Sequence, residues 1–178
     1  KKHLDVYEVE AGIDYRLRAL EQVEIYHYPA DAAAEAKMRD YFRVVAGEEG
    51  QEGGQISVLD RDIPALRRAN GVIWFDFRTL CGGPRSQNDY LEISRAYHTV
   101  LLSGIPRLTQ HQASEARRLT WLVDVFYDNK VKLIATAECA AEDLYTEGTQ
   151  ATEFKRTVSR LTEMNSRAYL AEAHIVAP

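Results

Sequence analysis

The amino-acid sequence predicts an α/β protein, a mixed sheet with flanking helices that contains a β-α-β unit. Three observations carry this. Short runs rich in β-branched and aromatic residues alternate with segments whose apolar residues recur at helical spacing. Val72-Ile73-Trp74-Phe75-Asp76-Phe77 is an apolar run of strand length. Val100-Leu101-Leu102, a long amphipathic helix and Val131-Lys132-Leu133-Ile134-Ala135 follow one another, and the crossover rule makes two such strands parallel with a right-handed connection.

Taken in order, Leu4, Val6 and Val9 alternate with charge, and a second alternating stretch surrounds Tyr15-Arg16-Leu17-Arg18. Val23-Glu24-Ile25-Tyr26-His27-Tyr28 then ends at Pro29, so this N-terminal part reads as two or three strands. Asp31 caps a helix that carries Ala34, Met38, Phe42 and Val45 on one face until Gly47 stops it. The run Gly47-Glu48-Glu49-Gly50-Gln51-Glu52-Gly53-Gly54 joins glycine entropy to like charges and has nothing to bury, which predicts a mobile loop dividing the chain near residue 50. A short strand over 56–59, a helical turn near 64–68 and the Val72 strand come next. Ser86 and Asp89 form a capping box for a helix with Tyr90, Ile93 and Tyr97 on one side, and Thr109 with Gln112 forms a second box. The helix opened by that second box places Leu119, Leu122, Val123 and Phe126 on one face and Trp121 and Val125 on another, so burial on two faces is predicted. After the Val131 strand, a short helix near 141–145 and a helix over 152–165, with Phe154, Val158 and Leu161 on one face, close the chain.

A length of 178 residues suits one domain, or one domain plus a piece of a neighbour. With 46% hydrophobic and 28% charged residues the balance is that of a soluble globular protein, and no stretch reaches the roughly 18 apolar residues of a membrane span. The net charge of -5, with dispersed basic residues, argues against a phosphate-tracking stripe, so no nucleic-acid partner is expected. Cys81 and Cys139 lie far from each other and from any His at ligand spacing; they read as packed thiols of a reducing compartment, and no metal site is predicted. Lys1-Lys2-His3-Leu4-Asp5-Val6 shows neither a Met nor a signal-peptide pattern and reads as the start of a strand inside a longer protein.

The chain has no Gly-x-x-x-x-Gly-Lys-Ser/Thr stretch. ATP hydrolysis needs backbone N–H groups and a Lys around the β- and γ-phosphates, so this chain alone is predicted inactive, with no catalytic residue of its own. Phe77 follows Asp76 where a magnesium-holding strand end would offer a Glu. Ser103 lacks a Gly-x-Ser-x-Gly elbow, and His3, His27, His98, His111 and His174 are isolated from partners, which removes hydrolase triads and zinc sites. The arginines are more suggestive. Arg117 and Arg118 share the first half of the long helix, and Arg156 and Arg160 sit on one side of theirs. Paired guanidinium groups hold a phosphate or carboxylate bidentately; the alternative is internal pairing, Arg160 with Glu163 and Arg117 and Arg118 with acids elsewhere.

Several stretches stand together in one order: Trp74-Phe75-Asp76-Phe77-Arg78-x-Leu80-Cys81, Ser86-x-x-Asp89-Tyr90, Ile105-Pro106-x-Leu108 and Arg117-Arg118-x-x-x-Leu122-Val123-Asp124-x-x-Tyr127-Asp128. Val131-Lys132-Leu133-Ile134, Leu144-Tyr145 and Phe154-x-Arg156-Thr157-Val158-Ser159-Arg160-Leu161-x-Glu163-Met164-x-Ser166-x-x-Tyr169-Leu170 follow. The whole resembles the C-terminal part of ZapE-type AAA+ ATPases, and Gly12-Ile13-Asp14-Tyr15-Arg16-Leu17-Arg18 is similar to the segment after their ATPase core. Leu119 and Asn165 depart from the usual Phe and Gln.

The resemblance implies a P-loop-NTPase-like fold without the P-loop, cut from a parent that binds ATP and Mg, with Walker A, Walker B and the asparagine sensor before Lys1. It implies a bacterial cytoplasmic protein that acts on FtsZ rings at the division site, or a mitochondrial relative. Residues 1–50 are expected to hold the last strand of the ATPase core with a hairpin and helix, and 51–178 a family-specific module. Arg156, Arg160, Arg117, Arg118 and Arg16 are the candidate nucleotide- or subunit-sensing residues. No cofactor is expected on this chain, and its expected work is contact and regulation, with FtsZ or another protein, the N-terminal core, or a second copy as partner. The alternative is a stand-alone interaction module. The order strand, helix, strand, Leu144-Tyr145-x-x-Gly148 and Phe154 parallels the family's core, so residues 70–165 are expected to echo an ATPase half without its acids. That expectation requires the Val100 and Val131 strands to be parallel neighbours.

Overall fold

In the computed structural model, which describes residues 14–176, β6 (Val72–Asp76), β7 (Thr99–Ile105) and β8 (Lys132–Ala137) form a parallel centre. Ile73, Val100 and Leu133 stand in register across it, so the required pairing of the Val100 and Val131 strands is present. These strands are buried on both faces, which is why they read as continuous apolar runs. On one side β1 (Tyr26–His27) joins β8 in parallel; on the other, β5 (Arg67–Ala69) and then β2 (Gln51–Glu52) add antiparallel edges. A separate hairpin, β3 (Gln55–Val58) with β4 (Arg61–Pro64), completes the strands. The fold is α/β with a mixed sheet, and strands from both sides of residue 50 share it.

Helix α1 covers 14–21 and α2 spans Ala32–Ala46. Asp31 accepts the Ala34 N–H at 2.8 Å, and Gly47 takes the left-handed conformation (φ 73°) that ends α2. The α2 residues predicted to face the core, Ala34, Met38, Phe42 and Val45, are all buried. Short α3 (Phe77–Cys81) leads to α4 (Gln87–Ala96), whose Ser86–Asp89 capping box is complete. The fully buried Asp89 also accepts Arg61 at 2.6 Å, which ties the hairpin to α4. Helix α5 (Ala113–Asp128) packs between α4 and α6 (Phe154–Met164), and α7 (Arg167–Ala171) follows.

Several expectations are corrected. Tyr15–Arg18 is helical: Ala19, Leu20 and Val23 are the buried positions and Tyr15 is exposed, so burial follows the helical period and the alternation of Tyr15 and Leu17 does not mark a strand. Only Tyr26–His27 of the third run is strand, and Leu4–Val9 lies outside the described residues. The glycine-rich stretch contains β2, because Arg67 and Arg68 opposite it hold it: Arg67 lies 3.8 Å from the Glu52 carboxylate and donates to Glu49 O at 2.7 Å, and Arg68 donates to Gln51 Oε1 at 3.2 Å. The turn near 64–68 is the end of β4 and the start of β5. The second capping box is half made: Gln112 Oε1 accepts the Thr109 N–H at 2.9 Å, but the Thr109 hydroxyl accepts the His111 N–H at 3.3 Å in place of the Gln112 N–H. Trp121 and Val125 are half-buried, which leaves the second face of α5 partly open, and the segment near 141–145 is one 3-10 turn, Ala141–Asp143. On α6 it is Thr157 that is buried, with Val158 half-buried.

Candidate functional site

The sequence gathers arginines on α5 and α6, and the structure sorts them by partner. The two helices touch where the Thr120 and Thr157 hydroxyls meet at 3.0 Å. One turn along α5, Asp124 forms an ion pair with Arg160 and lies 3.7 Å from Arg156. The Arg160 guanidinium also lies 5.0 Å from the centre of the Tyr127 ring, a cation–π distance. Glu163, the expected partner of Arg160, instead accepts the Tyr127 hydroxyl at 2.7 Å. Arg118 turns inward, donates to Cys81 O at 2.7 Å and approaches Glu115 at 3.9 Å, so it ties α5 to the end of α3.

Arg117 differs from these three. It is exposed, and its side chain has neither an ion pair nor a hydrogen bond among the described residues. It lines a cleft of about 370 Å³ with Trp121, Asp124, Tyr145, Gln150 and Phe154. The Tyr145–Phe154 edge contact at 5.6 Å and the Tyr145 hydroxyl bond to Thr149 O at 2.6 Å stiffen the far wall. An unpaired guanidinium beside a partly open indole suits an anionic or carboxylate-bearing group.

Arg16 lies apart from this cleft. It stands at the opening of β7 and β8 with His98, Lys132 and His174, around a cavity of about 20 Å³, the size of one water. Burial first, then the charges of Arg16, His174 and Lys132, lower the His98 pKa to about 4. Burial lowers that of Lys132 to about 8, against the opposing pull of Glu172. The Lys132 ammonium donates to Tyr169 O at 3.0 Å and Glu172 O at 2.7 Å, and so tethers the C-terminal segment. Sequence reasoning passed over both Asp124 as a partner and Lys132. A lone charge inside the Val131–Ala135 run was the available signal for the second.

ATP and Mg, implied for an intact family member, find no fitting cradle here. The chain has no Gly-x-x-x-x-Gly-Lys-Ser/Thr stretch, and the α2 N-terminus already has its Ala34 N–H bound to the Asp31 carboxylate. Among the described residues no three His, Cys, Asp or Glu side chains converge on a metal position, and no helix is long and apolar enough to cross a membrane.

Comparison with known proteins agrees with the order of motifs. The chain is 38% identical over 175 residues to cell division protein ZapE of Escherichia coli (strain K12), which covers 98% of the chain and 47% of that protein. It is 26% identical over 204 residues to lactation elevated protein 1 homolog B of Danio rerio, covering 95% of the chain and 41% of the relative. An uncharacterized protein of Schizosaccharomyces pombe is 30% identical over 144 residues, 80% of the chain and 32% of its own length. The chain therefore spans less than half the length of these relatives. No solved structure matches it. The AFG1-like ATPase family model matches residues 1–173, and the chain belongs to that family.

Proposed function

We propose that this chain supplies contact and regulation within an ATP-hydrolysing cell-division protein, in which ATP and Mg are held by residues outside it. The observation that carries the reading is Arg117. Of the four arginines on α5 and α6 it alone has no carboxylate within ion-pair distance among the described residues, and it faces a cleft rather than the core. The partner that seats an anionic group there is FtsZ or another protein, the ATPase core, or a second copy of the chain. The setting is the bacterial cytoplasm at the division site, with mitochondria as the alternative for eukaryotic relatives.

Arg117→Glu in the intact protein tests the reading. An exposed, unpaired side chain contributes under about 0.5 kcal/mol to stability, so the melting temperature stays constant. ATP turnover is expected to fall roughly tenfold, a rise of about 1.4 kcal/mol in the barrier. Unchanged turnover, or turnover and melting temperature falling together, removes Arg117 from regulation. Arg160→Glu serves as the contrast, because it breaks the Asp124 pair and lowers stability as well.

A further inference from the structure

Strand order says more than any single pairing. β1, β8, β7 and β6 lie side by side and parallel, yet the chain visits them as β1, β6, β7, β8. It leaves β1, crosses the sheet through α2 to the far edge at β2, comes back through β5 to β6 and then returns one strand at a time through α4 and α5. Right-handed crossovers put α2 on one face and α4 and α5 on the other. The contacts of α2 agree: Glu35 meets Thr136 of β8, and Glu35, Ala36 and Arg39 share a cleft with Trp74 of β6. Connections from β1 and β8 therefore leave the sheet on opposite faces. Such a switch point is where open α/β sheets bind ligands, and a strand–loop–helix start is their phosphate cradle.

We infer that residues 26–165 are a nucleotide-fold unit in their own right, whose switch-point crevice is closed to nucleotide by the chain's own carboxylates. The inference rests on the reading that hydrolysis lies outside this chain. It also extends the echo expected for 70–165 back to β1 and α2.

The β1–α2 loop is Tyr28-Pro29-Ala30-Asp31, with no glycine, no lysine and one residue lacking an N–H. The Asp31 carboxylate already accepts the Ala34 N–H at 2.8 Å. Glu35, in the first turn of α2, accepts the Thr136 hydroxyl at 3.4 Å, and that hydroxyl accepts the Gly104 N–H at 2.9 Å. Across the crevice Glu138 accepts the Arg107 N–H at 3.0 Å, and the Tyr26 hydroxyl closes onto Cys139 O at 2.8 Å. The Ala34, Gly104 and Arg107 N–H groups are thus bound within the chain. The field has the wrong sign too: around Cys139 the cation Arg107 is outnumbered by Asp143, Glu138 and Glu142. Burial, then Cys139, Glu142, Tyr28 and Asp143, likewise push the Tyr26 hydroxyl pKa up. At the β7 end Ser103 and Gly104 offer no carboxylate for a metal, and the Ser103 hydroxyl accepts Trp74 Nε1 at 2.6 Å.

The test is a titration of the 178-residue chain with a fluorescent ATP analogue and Mg²⁺, beside the stoichiometry of ATP on the intact protein and the positions labelled by an azido-ATP. The expected results are no saturation by the chain up to about 1 mM and one ATP per intact polypeptide. Saturable binding with labels on 27–35 or 136–143, or a second ATP labelled there in the intact protein, overturns the inference and leaves the ATPase parent standing. Labels confined to the Arg117 cleft keep the crevice closed. An intact protein that binds no ATP removes the proposed function while the closed crevice survives.

Discussion

Asp124→Asn separates structural arginines from available ones. The change keeps the shape of the side chain and removes the charge that faces Arg160 and Arg156. Asp124 and Arg160 are 26% and 21% exposed, so their charge-assisted bond counts near the low end of the usual 1.5–3 kcal/mol. The Arg156 contact, at 3.7 Å with that side chain 69% exposed, adds almost nothing. The expected loss is about 1.5 kcal/mol, which for a chain of this size lowers the melting temperature by roughly 3–6 °C. Urea denaturation checks it: the midpoint falls and the slope stays constant. A double-mutant cycle with Arg160→Gln is expected to show coupling of about 1 kcal/mol. A loss under about 0.5 kcal/mol, or strictly additive effects, refutes the pairing and returns Arg160 to the pool of groups free to meet a ligand.

Two further outcomes concern the opposite end of the sheet. His98 titrates at about 4 when folded against 6.5 when unfolded, so the unfolded chain binds the extra proton between those values and stability falls as pH drops through that window. At 1.36 kcal/mol per tenfold the ceiling is about 3 kcal/mol, and His98→Gln should flatten the loss between pH 7 and 5; equal losses in both proteins exclude His98 as the source. Lys132→Met removes both bonds to Tyr169 O and Glu172 O, and amide exchange over 166–176 is expected to quicken roughly tenfold while β6–β8 stay protected. Unaltered exchange there shows that the ammonium does not hold the tail.

What could be read from the sequence was local. Ala34, Met38, Phe42 and Val45 fix the buried face of α2 by spacing alone, and Val72–Phe75 and Leu133–Ala135 announce strands by continuous apolarity. β2 and β5 escaped because neither is apolar; each exists through pairing, Gln51 with Arg68 and Glu52 with Arg67. The same limit governed the site. Arg160 and Asp124 are 36 residues apart, and no rule of helical spacing joins them, so internal pairing and ligand binding both stayed open until α5 and α6 were placed together.

The element that decides the topology is also the least legible. β1 is two residues long, too short for any period, and it is held beside β8 by backbone bonds such as Ala135 N–H to Ile25 O at 2.8 Å. A motif search for a phosphate loop finds nothing at the β1–α2 junction, yet strand order marks that junction as the place for one. The reason it stays closed is thermodynamic as well as electrostatic. A helix start that waits for an anion keeps its first N–H groups unsatisfied, whereas Asp31 binds the Ala34 N–H permanently, a cap worth about 1 kcal/mol to α2. The residue that stabilises the helix therefore also fills the position a phosphate would need. In such a unit, capping the helix and occupying the phosphate position are the work of one carboxylate.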